Sequence, residues 1–493
     1  MRDRFKALSH FFEFFPLYAI PILGWMVGPI MAEDLATWTA LGFKNTELFS
    51  VLPVTLKPFP AWGASQLYGL LYPWFGLEGL VLLHVIPFLI TLRLIYRFSI
   101  EKNAFKNSLG FRALLYVSWL GFIPLFLERP AGLVLPLLAL SFLIISSIRT
   151  AREKNKLLKL CAIQILWVNL HGSWPLLILM LAYRLIALSI RKREATFLER
   201  AAVWVVLAGL STLLNPFGWK IIGHVFETAR VSSTRGISEW GPVGFSTDPV
   251  SGLLYLVLCA GFLFFVFLFL FLLKAKKSPR LLRKARGLYC SPIILLLFVG
   301  STAIRNTALP WFFVPVIGAL FFGRELKSSP SPSQARGQRT VVNAIVSITL
   351  IVFFILLLPA YKPAIARFLP EKHRAAFGSE TPLRLIEVLK QKRQKCPIAS
   401  EIEISGIIML ELENPVFLDT RNIIYDSASF DRFQEFLRGD PNWENYLAQY
   451  RACLVMIQPK RHPDLYDKLK KSLNWRFIDE EAGVVLFEKT SDR

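Results

Sequence analysis

Seven ionisable residues at the ends of apolar runs, or in the polar stretches between them, carry the chemistry this sequence offers: Glu33, Asp34, Arg129, His171, Lys220, Glu239 and Arg305. Adjacent carboxylates such as Glu33-Asp34 suit a general base, or a divalent cation held through oxygen. They equally suit the start of a helix, where an acid meets the positive end of the backbone dipole. Arginine has the fork geometry for a two-point grip on phosphate, and Arg129 and Arg305 each stand at the end of an apolar run. His171 stands at a third such end, inside Val168-Asn169-Leu170-His171-Gly172-Ser173. Snorkelling to lipid headgroups accounts for any one of these cations, whereas their convergence on one face favours a shared anion. Glu239, between Ser238 and Trp240, reads as a second candidate acid or as a hydrogen-bonded anchor for its loop. Lys220 follows Asn215-Pro216-Phe217-Gly218-Trp219, a structural stop with an interfacial aromatic. No Cys/His cluster has zinc spacing, and no residue is assigned to a metal.

The elements that must position these residues are membrane spans. Apolar residues make up 54% of the 493 positions, with 41 Phe and 13 Trp. They fall in runs near the roughly 20 residues that a helix needs to cross a bilayer. The pattern predicts about eleven helices, near 14–32, 76–97, 111–127, 130–148, 157–171, 173–190, 201–214, 250–273, 289–304, 307–323 and 341–360. The first run lacks a small-residue cleavage site and reads as a signal anchor.

Charge then orients the chain. The net charge is +22, and the connectors on the N-terminal side hold 29 Lys/Arg against 7 Asp/Glu, while the opposite loops hold 7 against 8. That asymmetry places the N-terminus in the cytoplasm and residues 361–493 outside, and it removes nucleic acid as the explanation of the basic excess. The outer face then carries the loops 33–75 and 213–249, the turn Leu127-Glu128-Arg129-Pro130, the turn at His171 and the turn Ile304-Arg305-Asn306-Thr307. Aromatic residues through 33–75 suggest two amphipathic helices lying in the interface, separated by the segment Pro53 to Pro60. The loop 213–249 is too polar to span and reads as irregular backbone that lines or roofs an external cavity. The Ser/Pro run 328–333 reads as a flexible cytoplasmic linker.

Two regions result: a transmembrane region, 1–360, and a soluble α/β domain, 361–493. In the latter a helix is expected from Thr381, as N-cap, to about 395. Strands are expected at 398–402, 415–418, 452–458 and 483–488, and helices at 428–438, 441–450 and 463–473. The stretch Phe477 to Phe487 has the form of a hairpin. Cys396 and Cys453 lie in this domain, where a disulfide is chemically allowed; spacing alone leaves a bridge and two buried thiols both open.

With those residues in place, the chain resembles the GT-C superfamily, and within it a bacterial branch with a periplasmic C-terminal domain. The resemblance rests on Arg129-Pro130, Val168-Asn169-Leu170-His171-Gly172, Leu214-Asn215-Pro216-Phe217-Gly218-Trp219, Ile237-Ser238-Glu239-Trp240, Arg305-Asn306 and Val416-Phe417-Leu418-Asp419-Thr420-Arg421. It implies a multi-pass protein of the bacterial inner membrane that moves a sugar from a polyprenyl-phosphate donor to an envelope glycan, lipid or protein acceptor. Asp34, with Glu33 beside it, would activate the acceptor hydroxyl or help hold a divalent cation. Arg129, His171 and Arg305 would hold the lipid phosphate, with Lys220 and Glu239 lining the same side. Two departures from the family pattern motivate an alternative. The acids are adjacent rather than spaced as acid-x-acid, and Ala61-Trp62-Gly63-Ala64-Ser65 lacks a histidine common in relatives. The alternative is a non-catalytic protein of the same fold that binds a lipid-linked glycan or an envelope partner. A transporter is a weaker reading, because the charges gather at one face and not at mid-bilayer.

Overall fold

The computed structural model describes residues 19, 32–43, 50–53, 61–101, 129–150, 152–192, 195–234, 292–300, 309, 381–421 and 424–490. The helices expected near 14–32, 111–127, 250–273, 307–323 and 341–360 lie almost wholly outside these residues, as do the linker 328–333, Glu239 and Arg305.

The membrane region begins with α1 (Ala32–Phe43) and α2 (Trp62–Leu83), followed by α3 (Val85–Glu101). Gly76 sits inside α2 with φ 63° and ψ −177°, a backbone that glycine adopts without steric cost. It divides the aromatic piece before it from the apolar run Gly79–Arg97, which is long and apolar enough to cross a membrane. The span expected at 76–97 therefore starts at a real break. α4 (Pro130–Leu133) and α5 (Leu135–Ser146) form one interrupted apolar rod, and α6 (Lys154–Leu170), α7 (Pro175–Lys192) and α8 (Ala195–Leu210) follow. A 3-10 turn, Ser211–Leu213, extends α8 into a second run of spanning length, Thr196–Leu213.

These helices pack as neighbours in sequence: α3 on α5, α5 on both α6 and α7, and α8 on α7. Their inner faces supply Phe88, Leu92, Phe142, Leu160, Trp167 and Leu181, all buried. At the basic end, Arg184 donates to the carbonyls of Ser146 (3.2 Å) and Ile148 (2.7 Å). It thus supplies donors and positive charge at the C-terminal end of α5, where carbonyls are left over. A residue counted only for its charge in the topology argument also has a local structural use.

Two expectations for the outer loops need correction. The first interfacial helix was expected to lie with its apolar face in lipid, but α1 is covered on nearly all sides. Leu35, Ala36, Thr37, Thr39, Ala40 and Leu41 are all buried. α2 covers one side of it, and the tail covers another through α12 (Ile402–Ile407) and the π-helical turn Ile408–Leu412. The second piece, by contrast, leaves Leu70, Trp74 and Phe75 on α2 exposed. The loop after Leu213 is expected to be irregular, yet its first part forms α9 (Lys220–Thr234). Apolar Ile221 and Val225 at i and i+4, together with His224, give that segment a buried face to fold around. α10 (Ile293–Gly300) follows within the run expected at 289–304.

The tail is an α/β unit. α11 (Leu383–Lys392) leads to β1 (Ile398–Ser400); α13 (Ser427–Leu437) and α14 (Trp443–Gln449) lead to β2 (Leu454–Ile457); α15 (Pro463–Lys471) leads to the hairpin β3 (Trp475–Glu481) and β4 (Val484–Lys489). The sheet order is β1-β2-β4-β3, with β1 and β2 parallel and the other pairs antiparallel. At the hairpin tip Ala482 and Gly483 both take positive φ, 55° and 75°, as a two-residue turn of matching twist requires. α11 begins at Leu383 with Pro382 as its cap residue and no side-chain cap, so the Thr381 N-cap does not form.

The strand expected at 415–418 is reduced to bridges at Val416, which pairs in parallel with Ile398 and with Ser50. The Val51 amide donates to the Val416 carbonyl at 2.9 Å, and Leu52 enters the tail's second core beside Phe417, Phe433 and Tyr446. The loop after α1 therefore completes the tail's sheet edge. Cys396 and Cys453 form a disulfide with Cα atoms 6.0 Å apart, closing the two-thiol alternative.

Candidate functional site

Glu33 and Asp34 occupy the first turn of α1, so both chemistry and favourable helix-start electrostatics apply to them. The helix that carries them is held between α2 and the tail. A hydrogen bond from Tyr72 Oη on α2 to Glu411 Oε1 in the tail (2.9 Å) crosses this junction. Lys390 Nζ holds the other carboxylate oxygen of Glu411 at 2.9 Å.

A second knot gathers three outer segments on one side chain. Asn169, near the end of α6, accepts from Trp62 Nε1 at 2.7 Å and donates to the carbonyls of Ile165 (2.7 Å) and Leu214 (2.9 Å). A side chain at Gly63 would place its Cβ 2.6 Å from the Asn169 carbonyl oxygen, so glycine allows α2 to approach this closely. The first loop, the His171 turn and the start of the 213–249 loop thus meet at Asn169.

His171 follows directly, with extended backbone. Its Nδ1 accepts from the Ser173 amide at 3.1 Å and lies 2.8 Å from Ser173 Oγ, which itself accepts from Trp167 Nε1 at 3.0 Å. An amide can only donate, so Nδ1 is the acceptor and the neutral ring carries its proton on Nε2. His171 is therefore oriented as a hydrogen-bond donor through Nε2.

Arg129 precedes α4 in extended conformation, with its side chain partly buried. The α4–α5 rod and α6 are consecutive and packed together, so the start of one and the end of the other face the same side. Arg129 and His171 thus share an end of the bundle, the one opposite Arg184 and the Glu153–Lys156 pair. Lys220 stands exposed at the first turn of α9. The side chains of Glu33 and Asp34, and all of Glu239 and Arg305, lie outside the described residues. Among the described residues no group of three or more His, Cys, Asp or Glu is arranged to hold a metal ion.

Two ionisable clusters lie in the tail, at Glu401 and at Asp419, in addition to the candidate residues read from the sequence. Glu401, just past β1, is buried at 3% side-chain exposure and accepts from the Gln458 amide at 2.6 Å and from Arg461 Nη1 at 3.2 Å. Burial pushes its carboxyl up to about 7, against the lowering influence of that amide and Arg461, with the Glu403 charge adding to the rise. His462 Nε2 lies 3.5 Å from Glu401 Oε1, but burial and the Arg461 charge push its pKa down. The contact is therefore not an ion pair near neutrality.

Asp419 is fully buried, and burial raises its pKa. The Arg421 guanidinium overrides that effect and holds it below the usual carboxylate range. Arg421 Nε donates to its two oxygens at 2.9 and 3.0 Å, and Tyr425 Oη donates at 2.8 Å. The Glu401 cluster joins positions 57 and 60 residues apart, so its spacing gives no signal, whereas the Asp419 cluster is local, with Arg421 two residues on and Tyr425 six. Asn169 had one available signal: an amide at the outer end of an apolar run, where an unsatisfied polar group is costly.

No protein-family profile matches the chain, and no curated protein matches it in sequence. Similarity appears in three dimensions. The crystal structure of ArnT from Cupriavidus metallidurans in the apo state aligns over 96% of both chains, with a TM-score of 0.51 and 14% identity. The archaeal oligosaccharyltransferase AglB from Archaeoglobus fulgidus, solved with an inhibitory peptide and a dolichol-phosphate, aligns over 98% of this chain and 74% of its own. Its TM-score is 0.43, at 11% identity. The chain has a GT-C-like fold, a polytopic helical membrane protein with a small C-terminal α/β unit.

Proposed function

We propose that the chain is a membrane glycosyltransferase of the bacterial inner membrane. It would take a sugar from a polyprenyl-phosphate donor and attach it to an envelope glycan, lipid or protein on the outer face. One observation carries this reading beyond the fold: the acid-bearing helix α1 is clamped between α2 and the tail, as a catalytic carboxylate needs a rigid support. Asp34 takes the proton of the acceptor hydroxyl as its oxygen bonds to the sugar's anomeric carbon. The bond from that carbon to the lipid phosphate breaks, and the phosphate leaves with the electron pair.

Arg129, His171 and Arg305 receive the departing charge, where fixed donors lower the barrier most. His171, protonated on Nε2, is suited to donate a hydrogen bond to that phosphate. Lys220 and Glu239 belong to the loop beside it. A divalent cation, if the reaction uses one, would be held by Glu33 and Asp34 and would stabilise the leaving phosphate.

The departures in the first loop favour the second reading, a non-catalytic protein that binds a lipid-linked glycan. Purified protein is offered a panel of polyprenyl-phosphate sugars, with binding and turnover measured separately. Transferase activity requires turnover that Asp34→Asn abolishes while binding persists. Binding without turnover, equal in the wild type and the variant, selects the second reading, and neither binding nor turnover removes both.

A further inference from the structure

α9 has two faces of opposite character. Ile221 and His224 are buried, and Thr228 Oγ1 donates to the His224 carbonyl at 2.7 Å. On the other side Trp219 and Phe226 are each 73% exposed, with Ile222 exposed between them. These three are spaced i, i+3 and i+7, which puts them on one stripe. Gly223 lies along the same stripe with no atom within 4 Å of where its Cβ would be, and exposed Arg230 ends it. Leaving two large aromatics and an isoleucine in water forgoes on the order of 25 cal/mol for every Å² of apolar surface.

This surface continues the exposed face of a run of spanning length. The span Thr196–Leu213 exposes Val206 and Leu210 at helical spacing, and Leu214 beyond it is also exposed. Only the Asn215 turn, in which the Phe217 amide donates to Asn215 Oδ1 at 2.8 Å, separates Leu214 from Trp219. The apolar exterior thus passes from the exposed face of the span onto α9 across this one turn, whose Asn215 side chain is engaged by its own backbone.

We propose that α9 is an interfacial helix that lies on the membrane surface opposite the basic connectors. Trp219, Ile222 and Phe226 enter the acyl region, and Lys220 and Arg230 lie at the level of the lipid phosphates. Amphipathic helices with aromatic anchors and basic flanks bind bilayers in this manner. The described start of the 213–249 loop then turns its outer face to lipid and its inner face, at Ile221 and His224, to the bundle. The inference is independent of the transferase reading.

The test uses the full chain in phosphatidylcholine nanodiscs, with Cys161, Cys259 and Cys290 replaced by serine. Ile222→Cys and Phe226→Cys are labelled separately with a fluorophore, and Leu473→Cys, 95% exposed on the tail, serves as the aqueous reference. Each labelled protein must elute as the unlabelled chain does, and two positions guard against one variant failing to fold. Nitroxide placed near the lipid headgroup should quench the 222 and 226 labels severalfold more than the 473 label, and iodide should quench them severalfold less. Iodide quenching equal to that at 473 overturns the proposal, because the face is then in water. Protection from both quenchers also overturns it and points to a protein partner, which the number of chains per nanodisc identifies as a second copy or not.

Discussion

Glu401→Gln isolates the buried carboxylate of the tail. The rise of the Glu401 pKa from its usual 4.5 to about 7 corresponds to roughly 3 kcal/mol. Arg461, 44% exposed, only lowers this pKa, so the rise is set by the burial of Glu401 itself. A group whose folded pKa is raised gives stability that is fully present below the unfolded pKa. That stability is lost as pH climbs through the folded value. The tail should therefore weaken between pH 4.5 and about pH 7 by this contribution.

His462, with a depressed pKa, acts in the opposite sense below about 6.5, which is why the comparison is made against the Gln variant. Subtracting the variant from the wild type removes the histidine contribution and leaves that of Glu401. Glutamine keeps an acceptor for the Gln458 amide but cannot ionise. Its stability relative to the wild type should rise by roughly 3 kcal/mol from pH 4.5 to pH 8. Hydrogen exchange of the β1 and β2 amides in the full detergent-solubilised chain, corrected for intrinsic rates, reports the opening free energy. A difference between the two proteins that is flat with pH, or that grows in favour of the wild type, refutes the reasoning.

Tyr72→Phe and Glu411→Gln should each loosen the tail from α2, and a double-mutant cycle read by protease susceptibility of the tail should give a coupling of about 1 kcal/mol. Simple additivity of the two would mean that the Tyr72–Glu411 contact couples nothing. Reduction of the Cys396–Cys453 bridge, which closes a loop over a separation of 57 residues, should destabilise the tail by about 4 kcal/mol on the chain-entropy estimate. Cys453→Ser should melt lower and lose its sensitivity to reductant. Alkaline phosphatase fused after residue 493 should be active if the charge asymmetry orients the chain by the positive-inside rule; an inactive fusion with an active one after Lys276 reverses the topology.

The parts legible in the sequence are those governed by local pattern. Among the described residues the helices of spanning length emerged from apolar runs, and the hairpin from a turn pair, Ala482-Gly483, between alternating runs. The tail's helices α13, α14 and α15 emerged from the spacing of residues such as Phe430, Phe433 and Phe436. Residues that depend on a distant partner were not legible. Val416 was expected in a full strand, but its neighbours in space are Ile398 and Ser50, and the ladder they offer is one residue deep. α1 was read as a lipid-facing helix because its covering, Ile404 to Leu412, comes from the far end of the chain. Of the candidate site, the end shared by Arg129 and His171 followed from charge asymmetry and antiparallel spans. The organising role of Asn169 did not, since it depends on the approach of Trp62 and Leu214.

The junction between the first loop and the tail has a consequence for the order of synthesis. Tyr72 and Glu411 lie 339 residues apart. At about 5–20 residues per second, roughly 20–70 s separate the emergence of the acid-bearing helix from that of the segment that covers it. Through that interval the intervening spans must enter the bilayer while Leu35, Ala36 and Ala40 wait without their final cover. A ribosome that stops short of residue 398 releases a protein whose spans can all be in place but whose outer helix has no lid. Quality control on the face that carries the tail would then act on the first loop, although the missing part is the last.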